Sequence, residues 1–393
     1  WKVALDRTAF YPASGGQPHD LGTLTATSRS GAVLEVPVIA VEEDGHGEVW
    51  HHTLKPLLAG TEITGEIDWT RRFDHMQQHS GQHLLSAVFL RELNAPTMSF
   101  HLGEISSTID LSLESLAPQS VERVERIANE IIAEDRPITM RTISREEAEA
   151  LLAAGHLRKL PDRQGNIRLI EIADCDLNAC GGTHVRSTGQ IGGLLIRGIE
   201  RVRQGVRVEF VCGLRAVMAA RQDFSALTRS AGLLSTPRAD VPVAIEKVLG
   251  ESKASAKAKQ KLYEELANYH TARLLVEVWM KDGLRIVRRT FPDRDADYVK
   301  LLASRLTSAA PHTVALLAST LREPAFVVVA QSGDLDFHAG QILKEALAKM
   351  GLRGGGSATL AQGDAPQGHL HSLLDSLETT VREAGTLVSN DTA

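Results

Sequence analysis

The sequence predicts an α+β protein built from several units, and three observations carry that expectation. Short segments that alternate or carry β-branched residues crowd the first seventy or so positions. Amphipathic helices and strands then mix without a regular βαβ repeat. A stretch rich in Ala, Lys, Glu and Leu separates this part from a final block of apolar runs and helices. At 393 residues the chain is too long for one average core, so two or three domains are expected.

In residues 1–70, WKVALDRTAFYP, LGTLTAT, AVLEVPVIAVEE, EVWHHTL and GTEITGEIDW read as strands punctuated by Gly, Pro, Asp and Ser, and a small β-barrel or sandwich is the natural expectation. Residues 71–214 follow as a mixed unit. A helix runs from about Arg71 through Leu93, with Leu84, Leu85, Val88 and Phe89 at helical spacing. EISSTIDLSL is strand-like. SLAPQSVERVERIANEIIAEDRP is an amphipathic helix that stops before Pro137, ITMRTIS is a strand, and SREEAEALLAAG is a helix from the Ser144 cap to Gly155. NIRLIEIAD, GGLLIRGIERV and VRVEFVCG complete the strands. Residues 215–280 read as a helical or coiled-coil connector. In residues 281–393, the buried-strand runs TVALLAST and PAFVVVAQS alternate with the helix HAGQILKEALAKMG and a last helix from about His369, as in a compact α/β domain.

No apolar run approaches the roughly 20 residues that span a bilayer, and no signal peptide is visible. The chain begins at Trp1 and not at Met, so further residues upstream are expected. The odd, low cysteine count (Cys175, Cys180 and Cys212) argues against a disulfide framework and for a reducing, cytoplasmic setting. The net charge of -6 is a poor global signature for a nucleic-acid binder, so such a role needs a local basic surface.

The segment DHMQQHSGQHLLS places His75, His79 and His83 four apart, on one side of a helix. HSGQH allows two imidazoles to reach one metal, but no Glu follows the first His, which removes the general base of an HExxH protease. By spacing alone, His75 with His79 serves as well as His79 with His83. A second element, CGGTH, sets Cys180 and His184 four apart around a Gly-Gly pair that disfavours a helix and suits a turn. Together the two pairs supply three imidazoles and a thiolate, first-choice ligands for Zn²⁺ at its usual coordination number. A redox pair of Cys180 with Cys175 is the rival, although their CxxxxC spacing is not that of thiol oxidoreductases.

HSGQHLLS, CGGTHV and TAFYPASGGQPHDLG together resemble the free-standing alanyl-tRNA editing proteins and the editing region of alanyl-tRNA synthetase. The similarity continues through STGQIGGLLIRGIERVRQGVRVEFVCGLRA. The tail, with DFHAGQILKEAL and GGGSATLAQGD, is similar to the DHH-associated domain. The resemblance implies a zinc-binding editing domain over 71–214 and a DHH-associated domain over 281–393. It puts zinc on His79, His83, Cys180 and His184 and leaves His75 as a neighbour of the site. The activity it implies is hydrolysis of the ester that joins a wrong amino acid, chiefly serine and also glycine, to alanine tRNA. The YP and QP of FYPASGGQPHD favour a free-standing factor. The alternatives are a non-catalytic zinc-containing tRNA-binding module and a synthetase fragment.

Discriminating serine from alanine requires a polar partner for one hydroxyl, and the resemblance places that partner near APTMSFHLGE, where Thr97 and Ser99 are the candidates. SGGQP reads first as a tight hairpin, and the resemblance sets Gly15, Gly16 and Gln17 against the editing cleft. For the acceptor stem, Arg186, Arg201 and Arg203 are the leading phosphate contacts, with strand alternation placing the last two on one face. Arg197, Arg207, Arg158, Lys159, Arg163 and Arg168 supply further charge nearby. Gly354, Gly355, Gly356 and Ser357 could form a loop that meets phosphate. The resemblance also implies tRNA contact or a homodimer through the connector and the C-terminal domain.

Overall fold

Why a helix as polar as DHMQQHSGQH is stable becomes clear from what surrounds it. The structure, a computed structural model, describes residues 1–28, 31–162 and 165–390. Arg163 lies outside them. The chain divides into two compact units, Trp1–Leu233 and Leu234–Ala393.

The first unit opens with β1 (Lys2–Ala4), β2 (Gly22–Thr27), β3 (Val33–Glu43), β4 (Val49–Thr53) and β5 (Ile63–Ile67). They form an antiparallel sheet in the order β1-β4-β3-β2-β5. Among the described residues no pairing joins β1 to β5, so the sheet is open where a closed barrel was expected. Its small core is Phe10, Leu24, Val36, Val38 and Val41. WKVALDRTAFYP yields only the three-residue β1, and its remainder runs as irregular chain.

Helix α1 (Trp69–Leu93) follows, capped by the Asp68 side chain, which accepts from the Arg71 amide, and closed by Asn94 in the left-handed conformation. The buried Asp20 holds α1 to the first sheet by accepting from Arg72 Nε at 3.0 Å and from the Tyr11 amide at 2.7 Å. Next come β6 (Thr97–Leu102), β7 (Ser107–Leu111), α2 (Pro118–Ala133), β8 (Ile138–Ile143), α3 (Arg145–Ala153), β9 (Ile167–Ile172), β10 (Asp176–Ala179), β11 (Leu194–Val202), β12 (Gly205–Cys212) and α4 (Leu214–Leu233). Two antiparallel sheets result, β11-β12-β7-β6 and β10-β9-β8. Helices α1 and α2 pack on the first of these through Leu84, Leu85, Val88, Phe89, Val124, Ala128 and Ile131, against Ile109, Val208 and Phe210. Helix α3 starts with a full capping box between Ser144 and Glu147 and covers the second sheet through Ala148.

The second unit begins with α5 (Val241–Glu277) and continues through β13 (Arg285–Phe291), α6 (Ala296–Ala309), β14 (Thr313–Ser319), β15 (Ala325–Gln331), α7 (Ala339–Ala348), β16 (Gly354–Gly356), β17 (Leu360–Ala365) and α8 (Leu370–Asn390). The sheet order is β13-β14-β15-β17-β16. Only β13 and β14 pair in parallel, so the sheet is mixed and mostly antiparallel, not that of an alternating α/β repeat. Strands β14 and β15 are buried on both faces, which is why they read as continuous apolar runs. The glycine run is strand β16 and not an open phosphate loop. A Cβ on Gly354 would fall 2.3 Å from Leu347 Cδ1, so small residues here let α7 approach the sheet.

Gly81, inside HSGQH, has a similar role in α1. A Cβ there would meet Cys212 Sγ at 2.2 Å. Cys212 cannot retreat, because its amide donates to Gln78 Oε1 at 2.8 Å and its carbonyl accepts from Gln78 Nε2 at 3.0 Å. Gly81→Ala gains roughly 1 kcal/mol of helix propensity but overpacks by about 1–3 kcal/mol, so a lower melting temperature is expected. Adding Cys212→Ala in the same chain should restore most of the loss. Thermal unfolding of the single and double variants checks this, and an unaltered single variant contradicts it.

Candidate metal centre

Four side chains from two distant segments converge within the first unit. His79 and His83 project from α1 one turn apart, and Cys180 and His184 come from irregular chain after β10. One ligand atom from each lies within 4.8 Å of all the others. His79 Nε2 and His184 Nε2 each stand 3.4 Å from Cys180 Sγ. In a tetrahedral zinc site with ordinary bond lengths the nitrogen-to-sulfur edge is about 3.6 Å. Donor set and spacing therefore both fit a tetrahedral divalent metal held by three imidazoles and a thiolate.

The remaining ring nitrogens decide which end of each imidazole faces the cluster. His79 Nδ1 donates at 2.8 Å to Gln17 Oε1, which also accepts from the Thr183 amide at 3.0 Å. Gln17 Nε2 donates to Thr183 Oγ1 at 2.7 Å, which fixes the amide's orientation. His83 Nδ1 meets Asp176 Oδ2 at 3.2 Å, and Arg158 and Asn178 hold the same carboxylate. His184 Nδ1 lies 3.1 Å from Ser80 Oγ, which accepts from the Val185 amide. Each Nδ1 is thus engaged and each Nε2 is directed inward, the outer-contact pattern of metal-binding histidines. The Cys180–His184 turn is pinned by Arg168 Nη1, which donates to the carbonyls of Cys180 at 2.8 Å and Gly182 at 2.6 Å. Gly182 has no room for a side chain, since a Cβ would fall 2.0 Å from His79 Cε1.

Burial would raise the Cys180 thiol, but hydrogen bonds from His184, His79 and His83 outweigh it and bring the group down to about 2. Burial also lowers His79 and His184, the latter to about 3. His83 moves the other way: the hydrogen bonds to Asp176 and Cys180 overcome burial and lift it to about 9. Without a metal, these contacts favour the thiolate form of Cys180 and the protonated form of His83.

The other sequence-predicted residues are distributed unevenly around this centre. Ser14 and Gln17 pair across a two-residue turn in which Gly15 and Gly16 take φ of 54° and 78°. The turn lies over the cluster through Gln17, while Gly15 faces open space. A bulge at Met98 separates the fates of Thr97 and Ser99. Thr97 stays on the inner face and donates to Ser86 Oγ on α1 at 2.7 Å. Ser99 turns to the outer face and donates to Asp110 at 2.7 Å, away from the cluster. Arg186 is exposed. Arg201 lies in β11, but Arg203 falls in the turn after it, so strand alternation does not place them together. Both nevertheless line one cavity of about 250 Å³, with Ser112 and Glu114. Arg197 and Arg207 are engaged by Asp223 and Asp110. Arg158 and Arg168 serve the centre's own framework instead of a free surface.

His75 is neither solvated nor part of the cluster. It is 2% exposed, its Nδ1 has no partner among the described residues, and burial followed by the Arg71 charge brings it down to about 4. Sequence reading missed Asp176, Ser80 and Arg168 as supports and Tyr11 as a neighbour. Burial and the Cys180 charge raise the Tyr11 phenol. Ser80 could have been found, since it lies between the two histidines of the motif. Nothing in spacing ties Asp176 to a histidine 93 positions earlier.

Metal uptake requires the imidazolium proton to leave His83 Nε2. Below about 9 the metal must displace it, so apparent zinc affinity should rise about tenfold per pH unit from pH 7 and level off above that value. Uptake at pH 7 should release about one proton, measured by calorimetry in buffers of different ionisation enthalpy. Proton-neutral uptake contradicts the arrangement.

Comparison with known proteins adds an independent finding. Residues 167–208 match the family described as threonyl and alanyl tRNA synthetase second additional domain. The chain is 32% identical over 370 residues to the alanine–tRNA ligase of Methanoculleus marisnigri, covering 93% of this chain and 39% of that enzyme. It is 33% identical over 376 residues to that of Thermococcus kodakarensis, covering 92% of this chain and 39% of the ligase. Among solved structures, the C-Ala domain of Aquifex aeolicus alanyl-tRNA synthetase matches 26% of this chain and 92% of its own, at 19% identity and a TM-score of 0.23, too loose to carry an argument. The chain spans about two fifths of the length of the curated relatives it matches, and over nearly all of its own length it resembles alanine–tRNA ligases.

Proposed function

We propose that this chain is an aminoacyl-tRNA deacylase that hydrolyses seryl and glycyl esters of alanine tRNA at a zinc centre. The observation that carries this reading is the three-imidazole, one-thiolate cluster, set in a chain similar to alanine–tRNA ligases over nine tenths of its length. His79, His83, Cys180 and His184 would hold the ion, which when bound supplies Lewis acidity toward an ester carbonyl or a water. Gln17, Asp176 and Ser80 keep the three rings oriented, and the turn at Gly15 and Gly16 covers one flank.

The proposed selectivity for serine rests on a polar chain between α1 and β6. Gln82 Nε2 donates to Ser86 Oγ at 2.9 Å, and Thr97 Oγ1 donates to the same oxygen. Gln82 Oε1 is buried and has no partner among the described residues. A seryl hydroxyl donating to it would satisfy that acceptor and a glycyl ester leaves room there for a water, whereas the alanyl methyl would leave it unpaired, and sites of this kind discriminate strongly. Arg186, Arg201 and Arg203 would meet acceptor-stem phosphates, and the exposed Val217, Met218 and Phe224 of α4 offer a surface for a second copy. Such work on tRNA belongs in the cytoplasm. No helix among the described residues is long and apolar enough to cross a membrane.

Deacylation of seryl-, glycyl- and alanyl-tRNA with and without zinc tests the reading. Hydrolysis of the first two is expected, with alanyl-tRNA spared and Cys180→Ala lowering kcat/KM by about a hundredfold or more. Binding of tRNA without any turnover would instead identify a non-catalytic module. Gln82→Leu and Thr97→Val should narrow the gap between serine and alanine, while Ser99→Ala, on the outer face, should leave it unchanged. The ratio of kcat/KM values for the two esters is the readout.

A further inference from the structure

Phe100 is a large apolar side chain on the rim of a polar centre that the reaction outlined above leaves unused. It lies on β6, the edge strand of its sheet, and the bulge at Met98 places it on the inner face with Thr97 and Leu102. Leu102 is 2% exposed, but Phe100, two residues earlier, is 36% exposed. Its ring centroid is 6.0 Å from that of His79, with 38° between the planes. The turn at Gly16 presses on it from another side, where a Cβ would fall 2.8 Å from Phe100 Cε2. The ring is therefore held by a proposed metal ligand and by the turn above the cluster, and it still presents area to solvent.

We propose that Phe100 is the stacking surface for the adenine of the aminoacylated terminal adenosine. This rests on the deacylase reading, since it takes the ester to lie at the cluster. At ordinary bond lengths the glycosidic nitrogen of such an adenosine lies about 5 Å from the ester carbonyl carbon. Phe100 stands beside a proposed ligand's ring and keeps exposed area, so a ligand with its ester at the cluster has an apolar ring next to it for its base. Stacking on an aromatic ring suits the task because it holds a base without reading its hydrogen-bonding edge.

The test compares two unreactive ligands on the zinc-loaded full chain: 3′-serylamido-3′-deoxyadenosine, and the same ribose derivative without its base. Wild type should bind the adenosine compound about 5- to 150-fold more tightly, the range of base–aromatic stacking. Phe100→Leu, which keeps apolar volume against His79 but has no π face, should bind both compounds equally while retaining its zinc, measured by metal analysis. Phe100→Trp should keep the preference and show fluorescence quenching by the adenosine compound only. An undiminished preference in Phe100→Leu overturns the proposal. If Phe100→Leu loses zinc, the Trp variant decides alone, and absent quenching overturns it. Failure of the deacylase reading is seen separately, as absence of turnover in wild type, because the binding comparison requires none.

Discussion

A strongly polar helix buried on nearly every side is the constraint on which the first unit depends. From His75 to Ser86, α1 buries three histidines, three glutamines and two serines. Each buried polar group that lacks a partner costs about 1–3 kcal/mol, so α1 is compatible only with surroundings that answer most of its groups. Gln77 donates to the Gln190 carbonyl, Gln78 closes on both backbone groups of Cys212, and Ser80 accepts the Val185 amide. His79, His83 and Ser86 reach Gln17, Asp176 and Thr97. The partners come from the turn after β1, from β6, β10 and β12, and from the chain after Cys180. The contacts that satisfy the helix therefore also aim the imidazoles of the candidate metal centre.

This explains which parts of the molecule were legible in the sequence. Helices with a clean apolar stripe, such as α2 and α7, and strands buried on both faces, such as β14 and β15, carry their own period. The candidate ligand pairs HSGQH and CGGTH were also local. What was hidden is cooperative. No periodicity marks β6, because the bulge at Met98 interrupts its alternation, and the same bulge separates Thr97 from Ser99. Strand β10 is four residues long and shows itself only through pairing with β9. The barrel expectation went beyond the pattern, because strands in series do not reveal whether the first and last of them pair.

The arginines show a similar division. Counting basic residues near the motifs treats them as one surface, but the structure gives them different work. Arg168 and Arg158 are drawn inward by carbonyls and by the Asp176 carboxylate, and Arg207 by Asp110. A guanidinium suits such places because its planar fork satisfies several acceptors and stays charged. In a chain of net charge -6, Arg201 and Arg203 at a hairpin end form no ion pair among the described residues and line one cavity.

The first seventy residues are consequently part of the candidate metal centre's framework and not an appendage to it. Gln17 is buried, and its side-chain amide oxygen Oε1 is the acceptor that holds the proton on Nδ1 of His79 and leaves Nε2 for the cluster. Without that acceptor the imidazole would be free to exchange tautomers or rotate, and a ligand nitrogen would lose its fixed direction. Asp20, three residues further on, binds Arg72 at the start of α1, so the turn that carries Gln17 is fastened to the helix that carries His79. The glycines of that turn accept left-handed backbone, and Gly16 fits against Phe100 without a side chain. A short hairpin thus links sheet, helix and rim, and the cluster inherits its geometry from the way these three are joined.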